Sequence, residues 1–273
     1  MSRACVWLVV LGVLLASRTA GAYELKQAPN GQVAHWGGPT MTFVVDPSIE
    51  AAVPGGAAAV VSALTAWSGV AGAPQLVWTT GPGGGKAAVD GVNTVLFAPE
   101  GFAPAGAALA VTLLTFSAET GEIMDADIVV NGVYTFAVLA ADARSQGVAL
   151  TPLEGATTID ATAGTFDLFH ILAHETGHSL GLGDVGDSDA VMYAYTSPGD
   201  AAYRAPASDD EAGLEAIYGP TSRAGCSSAS VAGSSPGGGG GGWAAVVVLG
   251  AGAAWAAKRR GRSRLTNRAA VPY

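Results

Sequence analysis

Cysteine is almost missing from this 273-residue chain: Cys5 sits in the first apolar run and Cys226 near the other end. The long stretch between them has none, so no disulfide braces it, even in an oxidising compartment. Histidine is equally sparse, with only His35, His170, His174 and His178. Basic residues are scarce where the bulk of the chain lies. Of 13 Lys and Arg, two lie in the first 22 residues and six in the last 16, leaving five against all 22 acids, a net of −17. Such a surface repels nucleic acid. It suits a soluble secreted domain and favours cationic substrates or bound calcium.

The two ends differ from the middle. Residues 1–22 read as a signal peptide: Arg3, an apolar run from Val6 to Ala16, then Ala20-Gly21-Ala22 as a small-x-small cleavage signal, so that the mature chain begins at Tyr23. The run is short for a retained membrane anchor. Residues 222–242 are a linker, richest in Gly and Ser from Ser234 to Gly242. Residues 243–257 are apolar or small and are expected to form a hydrophobic membrane or sorting helix. Residues 258–273 form a basic tail, opening with Lys258, Arg259 and Arg260. An apolar segment followed by a basic cluster is a stop-transfer pattern with the basic end cytoplasmic, although the run falls short of the ~20 residues of a comfortable span. The expectation is a secreted protein at the cell surface, associated with the membrane through its tail.

Residues 23–221 then form one domain. Met41 to Val45, Thr94 to Phe97, Ala107 to Phe116 and Ile123 to Val130 read as strands, the last two joined by a turn around Thr120-Gly121. Val60, Val61, Leu64, Trp67 and Val70 recur at helical spacing, predicting a helix over Ala57 to Val70. Gly81 to Gly85 reads as a flexible loop. A second helix is expected from Thr165 to Leu180, ending at Gly181, and a last one from Ser208 to Tyr218. Ser208 would cap that last helix, and Asp209, Asp210 and Glu211 would complement its N-terminus. Strands and helices mix without regular alternation, which makes the domain α+β.

The chemistry concentrates in His174-Glu175-Thr176-Gly177-His178. On a helix, positions four apart share a face about 6 Å apart along the axis, so both imidazoles can meet one zinc ion. Glu175 is placed to take a proton from metal-activated water. Gly181 lets the chain leave the helix sharply. Three acids follow, Asp184, Asp187 and Asp189, all candidate third ligands, and Asp184 stands six residues after His178, where the turn at Gly181 can bring a ligand back to the metal. His170 lies one turn before His174, but it is about 11–12 Å from His178 along the axis. One ion cannot bind all three, so His170 is expected to pack, as is His35. Asp125 and Asp127 could hold calcium or face solvent, and solvent is the expectation.

This run, from His174 through Asp184 to the Ala190-Val191-Met192-Tyr193 stretch, resembles the metzincin peptidases, with their extended zinc motif and a methionine turn at Met192. Asp209 to Leu214 and Ile217-Tyr218-Gly219 resemble the closing helix of the matrixin branch and its bacterial relatives. Ala107 to Ala110 and Asp127 to Asn131 resemble that branch's edge strand and the strand after it. The resemblance implies a mixed, mostly parallel five-stranded sheet with an antiparallel edge strand, an active-site helix and a C-terminal helix. It also implies one catalytic zinc and cleavage of extended peptides paired to the edge strand at Leu109 and Ala110. Its usual third ligand is histidine, where this chain has Asp184. The histidine-rich structural zinc site and cysteine-switch propeptide of matrix metalloproteinases cannot exist here in their usual form. The tail from Cys226 resembles the C-terminal sorting tails of myxobacterial surface proteins, which implies loss of the helix and attachment through Cys226. The expected protein is a monomeric zinc endopeptidase acting on proteins or peptides. The alternative is an inactive binding or adhesion protein on the same scaffold.

Overall fold

Alternating β-branched and apolar residues build the first strand, β1 (Thr40–Val45), whose Met41, Phe43 and Val45 point into the core. The structure is a computed structural model and describes residues 23–141, 151–152, 164–219 and 245–249. Asp46 ends β1 and caps a short helix, α1 (Pro47–Ala52), by accepting the Ser48 amide at 2.9 Å, with Pro47 in the first turn where its missing N–H costs nothing. Helix α2 (Gly56–Ser68) follows and buries Val60, Leu64 and Trp67 on one face. Strands β2 (Gln75–Thr80), β3 (Asn93–Ala98), β4 (Ala110–Ser117) and β5 (Ile123–Asn131) complete the main sheet.

The order β4-β5-β3-β1-β2 makes β5, β3, β1 and β2 parallel neighbours and sets β4 antiparallel against β5. This is the five-stranded, mostly parallel α+β sheet that the sequence implied. One face of β4 (Ala110, Leu114, Phe116) and of β5 (Ala126, Ile128, Val130) joins the main core. The other face carries Val111, Val129 and Leu96 in a smaller cluster with Ala105. Short pairs finish the fold: β6 (Thr135–Ala137) runs parallel to β8 (Thr165–Asp167), and β7 (Thr151–Pro152) runs antiparallel to β9 (Tyr195–Thr196). Helix α3 (Leu168–Ser179) packs on α2 against the sheet. There the fully buried Trp67 donates its indole N–H to Ala173 O at 2.7 Å. Helix α4 (Ser208–Tyr218) closes the domain.

Several expectations are corrected. Helix α3 begins at Leu168, because Thr165–Asp167 pairs as a strand and Asp167 caps the helix by accepting the His170 amide at 2.9 Å. Ser208 is the first helical residue of α4 rather than its cap. Ala207 holds the cap position, and its amide donates to Asp210 at 2.8 Å. Asp125 and Asp127 do not face solvent. Both are buried, and they accept the amides of Asp90, Gly91, Ala88 and Thr94, pinning the loop before β3 to the sheet. Burial pushes Asp127 up to about 7. Within the expected apolar helix, Ala245–Leu249 is instead a strand, β10, antiparallel to β4 from Leu113 to Ser117. That pairing makes a sixth strand, so β4 is the edge only before Leu113. The signal peptide, Cys226, the linker and the basic tail lie outside the described residues. No helix among the described residues is long and apolar enough to cross a membrane.

Candidate metal centre

Each end of α3 is anchored by side chains from distant parts of the chain. At the N-terminus, Asp167 caps the helix and is gripped by Arg204, whose Nε and Nη2 each lie 2.7 Å from one of its carboxylate oxygens. Arg204 also donates to Leu139 O and stacks over Phe169, tying the segment after β9 to the helix. At the C-terminus the last helical carbonyls lack helical donors. Trp36 supplies one to Ser179 O at 2.8 Å, and Tyr218 supplies one to Leu180 O at 2.8 Å. Burial pushes the Tyr218 phenol up, which keeps it a donor.

After α3 the chain turns at Gly181, whose φ of 98° is one that only glycine adopts without strain, and whose missing Cβ makes room for Ala34 O. The turn is held by the strip at the start of the described chain. Lys26 donates to Gly181 O and Gly183 donates to Glu24 O, each at 2.8 Å. This swings Asp184 back over the helix. Its Oδ1 lies 3.3 Å from His174 Nε2 and 3.5 Å from His178 Nε2, and one donor atom of each of the three residues falls within 4.8 Å of the others. Asp187 and Asp189 are exposed on the surface beyond. Both histidines are buried, with rings 4.6 Å apart and perpendicular.

The donor set fits a zinc ion. His174 Nδ1 faces Val191 O and His178 Nδ1 faces Leu182 O, each at 2.9 Å. Those contacts place the proton on Nδ1 and aim the Nε2 lone pairs at a common point with a carboxylate oxygen. In the metal-free site, burial disfavours a charged His174, but the bond and charge of Asp184 and the charge of Glu175 outweigh it and hold His174 up at about 9. The Asp184 carboxyl is opposed by burial and held well below the usual carboxylate range by the two histidines. Metal binding must displace that proton.

Beneath the histidines runs the turn Ala190 to Tyr193. Val185 donates to Met192 O at 2.8 Å, and the Met192 thioether packs where Gly177 has no side chain. Asp210, buried at the start of α4, accepts the amides of Val191 at 2.9 Å and Met192 at 3.2 Å. His170 packs as expected, with Nδ1 3.3 Å from Thr196 Oγ1 and its ring against Tyr203; burial, then the nearby His174, lowers it to about 4. His35 bonds Val33 O. Leu109 and Ala110 lie fully buried, Leu109 just ahead of β4 and Ala110 as its first residue, on the part of the edge that β10 does not reach.

Three residues escaped the sequence reading. Asp210 was noted only for its charge at a helix end, not as a bracket for the turn. Arg204 carried no pattern. Thr112 donates to Glu175 Oε2 at 2.6 Å. Its one signal is being the only polar residue in the inward row Ala110, Thr112, Leu114, Phe116.

A mostly parallel sheet with an antiparallel edge strand, a His-Glu-x-x-His helix, a third donor returned by a glycine turn and a methionine beneath are consistent with a metzincin-type centre. Comparison with known proteins agrees and narrows the class. Residues 107–219 match the family model of the matrixins, peptidase family M10. Interstitial collagenase of Bos taurus is 46% identical over 57 residues, 20% of this chain and 12% of the collagenase. Stromelysin-1 of Rattus norvegicus is 44% identical over 62 residues, 22% of this chain and 13% of the stromelysin. Neutrophil collagenase of Homo sapiens is 44% identical over 59 residues, 21% and 12% of the two chains. The chain thus spans about an eighth of the length of these relatives. Together the matches support a matrixin-like metallopeptidase in general.

Proposed function

We propose that the chain is a secreted zinc-dependent endopeptidase, with His174, His178 and Asp184 holding the metal and Glu175 as general base. The observation that carries this is the convergence of two buried imidazoles and a carboxylate beside Glu175, on a helix fixed at both ends. A zinc ion held there would make water a nucleophile at neutral pH and polarise the scissile carbonyl. Glu175 takes a proton from the attacking water at its carboxylate and delivers it to the leaving amine nitrogen. Extended peptides add as a further strand beside Leu109 and Ala110, using main-chain hydrogen bonds. In this reading residues 1–22 are removed on secretion, 23–221 form the peptidase domain, and the tail holds the protein at the cell surface, with Cys226 as its attachment point.

The test is hydrolysis of unstructured casein by the purified chain, with chelator and with zinc restored, beside Glu175→Ala. The expected result is chelator-sensitive turnover that zinc restores and that Glu175→Ala loses while keeping its zinc. A zinc-loaded parent that cleaves neither casein nor a peptide library overturns the reading in favour of a binding scaffold. Near-parental turnover by Glu175→Ala removes Glu175 from the role of base.

A further inference from the structure

The inward row of β4 should be apolar throughout, since it packs on α3. Thr112 breaks it, at 2% exposure and with Ala110, Leu114 and Phe116 as its neighbours on that face. A buried hydroxyl is tolerated only where it finds a partner. Thr112 Oγ1 lies 2.6 Å from Glu175 Oε2 and 3.0 Å from Glu175 O. A hydroxyl has a single proton. The shorter contact, to the side-chain oxygen, is the one it serves, since 2.6 Å is short for an O–H···O bond while the backbone contact is 0.4 Å longer.

Valine would fill the same space without a polar atom, so packing alone does not call for threonine. Nor does the helix need a donor here, because Glu175 O lies within α3 rather than at its end. What the hydroxyl changes is the carboxylate. The terminal torsion of a glutamate is broad and roughly two-fold, so an untethered carboxylate spreads over many orientations. Thr112, by contrast, is β-branched and stiff at its own first torsion. Its backbone is also held in register with Ile128 of β5. It carries the rigidity of the sheet to the end of a flexible side chain.

We propose that Thr112 is a positioning residue for Glu175, its hydroxyl fixing the rotation of the carboxylate that handles the proton. This rests on the peptidase reading above. The role is worth about tenfold to a hundredfold in turnover, the loss that a base displaced by a fraction of an ångström to one ångström incurs.

The test compares Thr112→Val, which keeps the shape and loses the donor, with Thr112→Ser, which keeps the donor. In the zinc-loaded full chain, Thr112→Val is expected to bind zinc as tightly as the parent, keep KM within about twofold and lose kcat about tenfold or more, with Thr112→Ser recovering most of it. A second readout needs no activity. In metal-free protein carrying 13C at glutamate carboxyls, the Glu175 resonance, assigned by its loss in Glu175→Gln, should move in Thr112→Val and return in Thr112→Ser. An active parent with parental kcat in Thr112→Val overturns the role of Thr112 and leaves the peptidase reading standing. An inactive, zinc-loaded parent whose resonance moves overturns the peptidase reading while the bond to Thr112 stands. A resonance that does not move overturns the proposal whatever the kinetics.

Discussion

Replacing Asp210 by alanine removes the one acceptor that brackets the turn beneath the metal centre. Three amides lose their partner: Val191 at 2.9 Å and Met192 at 3.2 Å, both buried, and Ala207 at 2.8 Å, partly buried. Stranding a buried donor costs about 1–3 kcal/mol, with the partly buried one at the low end. Losing a negative charge from the first turn of α4 adds about 0.3–1 kcal/mol. The expected destabilisation is about 3–8 kcal/mol, a large share of the roughly 5–15 kcal/mol that holds a typical domain together. Asp210→Asn keeps one acceptor oxygen, which can serve Val191 and Ala207 on the Oδ2 side, but turns an amide toward the Met192 N–H; about 1–3 kcal/mol is expected. The turn also carries Val191 O, the acceptor for His174 Nδ1. Loosening it should therefore weaken zinc binding about 10–100-fold in the alanine variant. Urea unfolding of the metal-free variants and competitive zinc titration read the two effects. An alanine variant within about 1 kcal/mol of the parent would refute the bracket, because no arrangement of three stranded amides is that cheap.

The third ligand gives a sharper series. Asp184→Ala should weaken zinc affinity strongly in a competitive titration, Asp187→Ala and Asp189→Ala should leave it near parental, and Asp184→His should restore binding. Gly177→Ala places a methyl group into the Met192 thioether and within 2.8 Å of the Trp67 ring, which is held by its bond to Ala173 O. The helix gains about 1 kcal/mol of propensity but overpacking costs about 1–3 kcal/mol, so thermal melts should show net destabilisation, and a stabilised variant would mean that Met192 moves aside freely. The metal-free protein should lose stability as pH rises. His174 is raised in the folded state to about 9, so its contribution is complete below about 6.5, the unfolded value, and is lost as pH climbs through 9. Asp127, raised to about 7, acts in the same direction across the range below. Saturating zinc should flatten the trend above pH 6.5, because the zinc-bound protein has given up the His174 proton and so has the unfolded chain; melts at pH 6.5 and 9, with and without chelator, check the difference.

The parts legible in the sequence were those with local signatures. The spacing of His174, Glu175 and His178 encodes a face of a helix, and Gly181 encodes a turn, so the cluster with Asp184 could be written down in advance. The strands β1, β3 and β5 announced themselves by β-branched runs, and their ends agree with expectation to within two residues. What was hidden depends on partners far away. Thr165–Asp167 reads as the start of a helix until β6 is beside it. Asp125 and Asp127 look like surface acids until a glycine-rich loop lays its amides over them. The apolar stretch after Trp243 has the composition of a membrane helix, yet Ala245–Leu249 pairs with β4, because any run of β-branched residues can complete an open edge. Thr112 could not be singled out without knowing which face of β4 meets Glu175.

The strip Glu24–Lys26 that holds the Gly181–Gly183 turn has a kinetic side. Both histidines sit on one helix and can be presented together as soon as that helix forms. The third donor waits on contacts between distant parts of the domain: Lys26 donates to Gly181 O and Gly183 donates to Glu24 O, each at 2.8 Å. Closing so long a loop costs chain entropy before its contacts return anything. Docking of that strip is what would turn a two-imidazole site into a three-donor one, which would couple tight metal binding to completion of the fold.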